Sequence, residues 1–348
     1  MSRQLAGWTA DELIAELRRR ERDAVAGLRR ATTGQEPRLR GRAGDLADVA
    51  TPELVQAVRA HQRVVYGADE RQDLHHVSSA RVNDVAQAVA ALVKRDDLHA
   101  NADGSFALAT SSYRADYHLC DGEPFADQPL GCFCSGFLVA ADVLATAGHC
   151  VKSEQDLASV RFVFGFRMLD ASRARTTFPS SDVYGGVELI GRALGDDGTD
   201  WALVRLDRKV SDRAPLKVRA RGRIADSAKL FVIGHPCGLP QKYAPGAVVR
   251  DNAPAAFFVA NLDTYGGNSG SPVFNATSFA VEGILVRGES DFVSRGNCHV
   301  SLVCPTTGCR GEDVTRSTAW AARIPRPAGV SRTPKPARVD RSHRRATS

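Results

Sequence analysis

A serine stands in a glycine-rich stretch, Gly266-Gly267-Asn268-Ser269-Gly270-Ser271-Pro272. A serine hydroxyl attacks carbonyl carbon only when a neighbouring base takes its proton. The surrounding glycines permit backbone angles that other residues resist, so a tight turn can aim several N–H groups at one point. Such a point, served by Gly267 and Ser269, would hold the oxyanion of a tetrahedral intermediate. A base is available in Thr146-Ala147-Gly148-His149-Cys150, where His149 follows the apolar run Val143-Leu144-Ala145. A carboxylate that could orient that imidazole is Asp200, directly before Trp201-Ala202-Leu203-Val204. Asp196 and Asp197 are rivals for this role, but both fall in a Gly/Asp-rich turn. The chain order His, Asp, Ser is one of the orders in which acyl-transfer triads occur. Taken singly, Ser269 also fits a surface turn and His149 a core histidine.

Cys132, Cys134, His149 and Cys150 also make a possible zinc set. Their first spacing, with one intervening residue, is shorter than usual. A Cys134–Cys150 disulfide accounts for the pair better and closes the loop that carries His149.

These residues need a scaffold. Beyond residue 100, short β-branched or aromatic runs alternate with Gly, Pro, Asp and Asn. They are Phe137–Ala140, Val160–Phe166, Ala202–Leu206, Leu230–Ile233, Ala256–Ala260, Ser271–Phe274 and Val281–Val286. The pattern predicts an antiparallel all-β body, with barrels as the natural closure. No alternation of strands with long helices supports an α/β sheet. Before this body, Val82, Val85, Val89 and Leu92 have helical spacing, which predicts a helix over 79–93. A capped helix is expected over 9–30, from Thr9 and Glu12, then a linker over 31–50 and a helix starting at Thr51-Pro52. Residues 1–60 read either as an adaptor that binds a protein partner or as a helical appendage without activity.

The chain has 348 residues, 43% hydrophobic and 25% charged, with a net charge of +6. Residues 323–348 alone hold eight Arg/Lys against one Asp, which exceeds the whole net charge. The basic character is therefore that of a tail expected to be disordered, and it does not make the body a nucleic-acid binder. No run approaches the roughly eighteen apolar residues of a membrane span. The N-terminus lacks a secretory pattern, which points to the cytoplasm, whereas eight cysteines suit an exported protein.

Together the motifs resemble the chymotrypsin-like serine peptidases, and within them the bacterial V8-like branch of trypsin-like peptidases. The likeness runs through Cys134-Ser135-Gly136-Phe137-Leu138-Val139, Thr146 to Cys150, Asp200 to Val204 and Gly267 to Pro272. Val65-Tyr66-Gly67-Ala68-Asp69-Glu70-Arg71, Gly234 to Pro240 and Asp263 to Gly267 are also similar to that branch. It covers roughly residues 63–318. The resemblance implies two six-stranded antiparallel barrels, with His149 and Asp200 on the first and Ser269 on the second. The expected layout is a helical extension over 1–62, a peptidase domain over 63–320 and a basic tail over 321–348.

The implied activity is peptide-bond hydrolysis through an acyl-enzyme, by a monomer needing no cofactor or metal. Its partner is a polypeptide substrate. Asp263 matches the floor of a pocket that favours Arg or Lys before the scissile bond. Thr264 lies beside that floor. Leu285 and Arg287 are placed on the facing wall, where Arg287 could instead neutralise an acidic group. The residue before the serine is Asn268, not the aspartate that pairs with a freed N-terminal ammonium in the animal digestive enzymes. Activation by that ion pair is therefore not expected.

Overall fold

The structure is a computed structural model that describes Glu16 and residues 65–288, 292–305 and 307–325. The helices expected over 9–30 and from residue 51, the linker between them and the basic tail lie outside the described residues, Glu16 apart.

Twelve strands make the body. The first six are β1 (Val89–Lys94), β2 (Cys134–Ala140), β3 (Val143–Thr146), β4 (Val160–Phe164), β5 (Val183–Leu194) and β6 (Asp200–Leu206). They pair antiparallel in the order β4-β5-β6-β3-β2-β1 and close through β1 on β4. The second six are β7 (Lys229–Gly234), β8 (Lys242–Asp251), β9 (Phe257–Ala260), β10 (Pro272–Asn275), β11 (Val281–Arg287) and β12 (Glu312–Arg316). Their order is β7-β10-β11-β12-β9-β8, closed by β8 on β7. The fold is thus two closed six-stranded barrels, as the resemblance implied. A short strand, Gln72–Asp73, adds to the outside of β8.

Alternation explains how the barrels join. On β7, Leu230 and Val232 point into the second barrel with Phe258, Val273 and Val314. Phe231 and Ile233, on the other face, share a core with Phe137, Leu144, Phe162 and Leu203 of the first barrel. Period-two patterning thus serves one barrel's interior and the seam between both.

The helix expected over 79–93 is half right. A helix, α1, spans Ala80–Ala86, and Ser79 caps it by accepting from the Val82 N–H. Val89 and Leu92 belong instead to β1, where residues 89–93 are fully buried. In register, Ala91 faces Val163 of β4 and Ser135 of β2. A continuous apolar run of this length carries no period of its own, and the barrel pairing decides it.

Candidate active site

His149 sits where β3 ends. The turn closes by a Cys150 N–H to Ala147 carbonyl bond of 3.1 Å. Gly148 allows the turn to press on β5, since a Cβ there would lie 2.3 Å from the Ala193 carbonyl oxygen. Cys134 and Cys150 are joined by a disulfide, which ties the histidine loop to β2. Their sulfurs are therefore not available as zinc thiolates, although Cys134, His149 and Cys150 cluster within 4.8 Å.

Asp200 opens β6. Its backbone N–H donates to Thr315 Oγ1 at 3.1 Å. Its Oδ1 accepts the His149 backbone N–H at 3.1 Å, and its Oδ2 lies 2.7 Å from His149 Nδ1. A carboxylate only accepts, so Nδ1 carries the proton and Nε2 is left with a lone pair when the ring is neutral. Nε2 is buried with no hydrogen-bond partner among the described residues. Burial pushes the Asp200 carboxyl upward. The charge and hydrogen bond of His149, aided by Arg287 and Arg192, outweigh that and hold it below its ordinary range. Asp197 accepts the Thr199 N–H in the turn at 195–199, and Asp200 is the carboxylate that meets His149.

Ser269 is 5% exposed and its turn is fixed on three sides. The Asn268 N–H donates to the Tyr265 carbonyl at 3.0 Å, and the Gly270 N–H to the Leu285 carbonyl at 2.8 Å. The Ser135 N–H donates to the Ser269 carbonyl at 2.8 Å. Gly267 and Gly270 lie at φ +88° and +90°. At Gly270 a Cβ would come within 1.9 Å of the Ser135 carbonyl oxygen, and at Gly267 within 2.7 Å of the Gly238 nitrogen. Only glycine meets both the angle and the space.

Ser135 is the residue that sequence reasoning passed over. Its hydroxyl donates to the Gly267 carbonyl at 3.2 Å and accepts the His235 N–H at 3.0 Å. One side chain of β2 thus links the serine turn to the loop after β7. The same strand carries the disulfide to the His149 loop, and Cys150 Sγ lies 3.7 Å from the Ser269 carbonyl oxygen. His149, Asp200 and the Ser269 turn therefore meet at the seam between the barrels. The signal for Ser135 was its place in the quoted Cys134-Ser135-Gly136 motif, although nothing local gives a serine there a partner 132 residues away.

Of the four expected pocket residues, Leu285 and Arg287 are placed differently from expectation. Asp263 Oδ1 accepts the Tyr66 N–H at 2.7 Å, and Oδ2 the Glu70 N–H at 3.3 Å. Its carboxylate thus anchors the segment that leads into the domain. Burial pushes its pKa up to about 6, against the lowering effect of those two amides. Thr264 is 1% exposed. Leu285 does not line a pocket wall. Its side chain packs with Leu230, Phe258 and Val273 inside the second barrel. Arg287 donates from Nε to Asp313 at 3.0 Å and from Nη2 to the Gly198 carbonyl at 3.1 Å. Its guanidinium is held between β12 and the Asp200 loop.

The remaining cysteines pair as Cys120–Cys298 and Cys304–Cys309, while Cys132 and Cys237 are not disulfide-bonded.

Comparison with known proteins gives one family-model match. Residues 134–284 match the family model described as "Trypsin-like peptidase domain". Secreted RxLR effector protein 73 of Plasmopara viticola is 24% identical over 216 residues, covering 56% of this chain and 47% of its own. The chain thus spans about half the length of that curated relative. Among solved structures, a Glu endopeptidase in complex with MPD has a TM-score of 0.45 at 16% identity, over 75% of this chain and 97% of that one. The Vibrio cholerae VesB protease has a TM-score of 0.44 at 17% identity, over 75% and 67%. Over residues 134–284 the chain is thus similar to the trypsin-like peptidase domain, and it folds as two six-stranded barrels.

Proposed function

We propose that this chain is a serine endopeptidase that works through His149, Asp200 and Ser269. The observation that carries the reading is the 2.7 Å contact from His149 Nδ1 to a buried Asp200, with Nε2 left to act as base. His149 Nε2 takes the Ser269 proton as Oγ attacks the peptide carbonyl. The N–H groups of Gly267 and Ser269 stabilise the oxyanion. Asp200 holds the tautomer and balances the imidazolium. The imidazolium then protonates the leaving amine, and water activated by His149 releases the acyl group.

Arg or Lys is the proposed residue before the scissile bond, with Asp263 as the recognising carboxylate. A carboxylate offers about four acceptor positions, and two backbone amides occupy Asp263. Further acceptor positions remain for a guanidinium or ammonium. That same engagement favours a second reading, in which the domain is a weak or inactive scaffold that binds a protein partner.

Digestion of a mixed peptide library by the full chain, read by mass spectrometry beside Ser269→Ala, tests both. Cuts after Arg or Lys that vanish in the variant support the proposal. Cuts after other residues keep the triad and remove Asp263 from recognition. No cuts by the full chain leave the scaffold.

A further inference from the structure

The first barrel carries an arginine-lined cavity away from the proposed triad. The cavity, of about 770 Å3, opens where β1 ends and β5 begins, and Arg95, Arg161 and Arg208 line it. Asp200 and Asp207 stand at opposite ends of β6, roughly 20 Å apart at the rise of an extended strand. The cavity therefore sits at the far end of the barrel from His149 and Asp200.

The three arginines are not equivalent. Arg208 donates to Asp207 at 2.9 Å and to the Val183 carbonyl at 2.8 Å. Asp207 also accepts the Gly185 N–H at 2.8 Å, so that pair is spent. Arg161 reaches only the carbonyls of Ala158 and Val160, at 3.2 and 2.8 Å. Among the described residues, no carboxylate makes an ion pair with Arg95 or Arg161. Asp96 also lines the cavity without closing on either. Burial, and then the charge of Arg95, pull the Arg161 guanidinium below its ordinary value. Asp207 pulls the other way but is already engaged by Arg208 and Gly185, so two like charges are held together at a cost the fold recovers only in part.

The other side of the Ser180–Val183 turn shows the usual solution. There Arg175 and Arg213 both end on Asp182, the first at 2.6 Å. The unanswered pair also stands out in sign, because residues 65–322 hold more Asp and Glu than Lys and Arg.

We propose that the Arg95–Arg161 cavity is an exosite for an acidic, partly apolar peptide segment, such as a stretch of substrate remote from the cut bond. The two guanidiniums would take carboxylates in charge-assisted hydrogen bonds. Leu98, Phe106 and Val183 line the same cavity and would cover apolar side chains beside them. That apolar share selects a peptide over a sulfated sugar, which would present charge without side chains to bury. The site does not depend on the triad.

The test is fluorescence anisotropy with a rhodamine-labelled Glu-Leu-Glu-Phe-Glu-Leu peptide on the full chain carrying Ser269→Ala. Binding is expected to weaken about tenfold or more in Arg95→Gln and in Arg161→Gln, the loss of one charge-assisted contact. It should be unchanged in Arg173→Gln, whose guanidinium is exposed and paired with Asp170. Relief of the repulsion should leave the Tm of Arg95→Gln equal or higher. Unchanged peptide affinity in both cavity variants, or no binding at all, overturns the proposal. So does a sulfated oligosaccharide that binds these arginines where the peptide does not. A lower Tm in Arg95→Gln overturns it as well, because the pair would then be holding the barrel together.

Discussion

At the scale of single residues, the account separates groups that react from groups that only hold position. Ser269→Ala should lower kcat/KM by a factor on the order of 10^6, and Asp200→Asn by about 10^4 with the fold intact, because the wrong tautomer then faces the serine. Steady-state assays with matched circular dichroism check both. Asp263 gives a pH signature of its own. Its raised pKa of about 6 keeps it charged above that pH and neutral below it. The kcat/KM ratio of an Arg substrate over an uncharged one should therefore fall as pH drops through about 6, and the ratio cancels any titration common to both substrates. A flat ratio removes Asp263 from recognition. His235, whose pKa burial pushes down to about 4, acts on stability instead. Its ordinary value is near 6.5, so the unfolded chain takes up the proton first as pH falls. The stability it contributes is present above about 6.5 and is lost down to about 4, roughly 3 kcal/mol in all. Urea unfolding of His235→Gln should show a shallower loss between pH 7 and 4.5 than the parent protein.

At the scale of elements, local runs were more legible than long-range placement. Each of the seven runs read as strands became one, because each is apolar, β-branched or aromatic and bounded by turn residues. Besides β1, which carries helical spacing, and β3, which carries the apolar run before His149, β5, β8 and β12 fall outside those runs. β5 carries Gly185, Gly186 and Gly191, and β8 carries Pro245 and Gly246. Neither reads as a strand locally, and both are drawn in by their partners, with bulges in the ladder. The proposed triad residues stand out in the sequence because each sits in a short local motif. The pocket was not, because the partners of Asp263 stand 197 and 193 residues away in the chain. Arg287 was misplaced for the same reason, since its partner Asp313 comes from β12. Two changes test how the elements hold the serine turn. Gly270→Ala would force a side chain to φ +90° and onto the Ser135 carbonyl, so both Tm and activity should drop sharply. Replacing Cys134 and Cys150 by Ala opens a loop of sequence separation 16, which should cost about 3 kcal/mol in unfolding experiments.

At the scale of the whole molecule, the two barrels would be complementary halves of the proposed site. The first brings His149, Asp200 and Ser135, and the second brings the Ser269 turn and Thr315. Neither barrel alone carries all three residues of the proposed triad. The remote arginine cavity adds a second place where a long polypeptide could be held while its scissile bond lies at the seam. The central claim is that a covalent acyl group forms on Ser269, and intact-protein mass spectrometry tests it most directly. The full chain would be mixed with a slowly deacylating Arg ester, quenched in acid and mapped by peptide digestion. The account predicts one acyl adduct per chain, located on Ser269 and lost in both Ser269→Ala and His149→Ala. An adduct on another residue, or turnover with no adduct that survives Ser269→Ala unchanged, would contradict it.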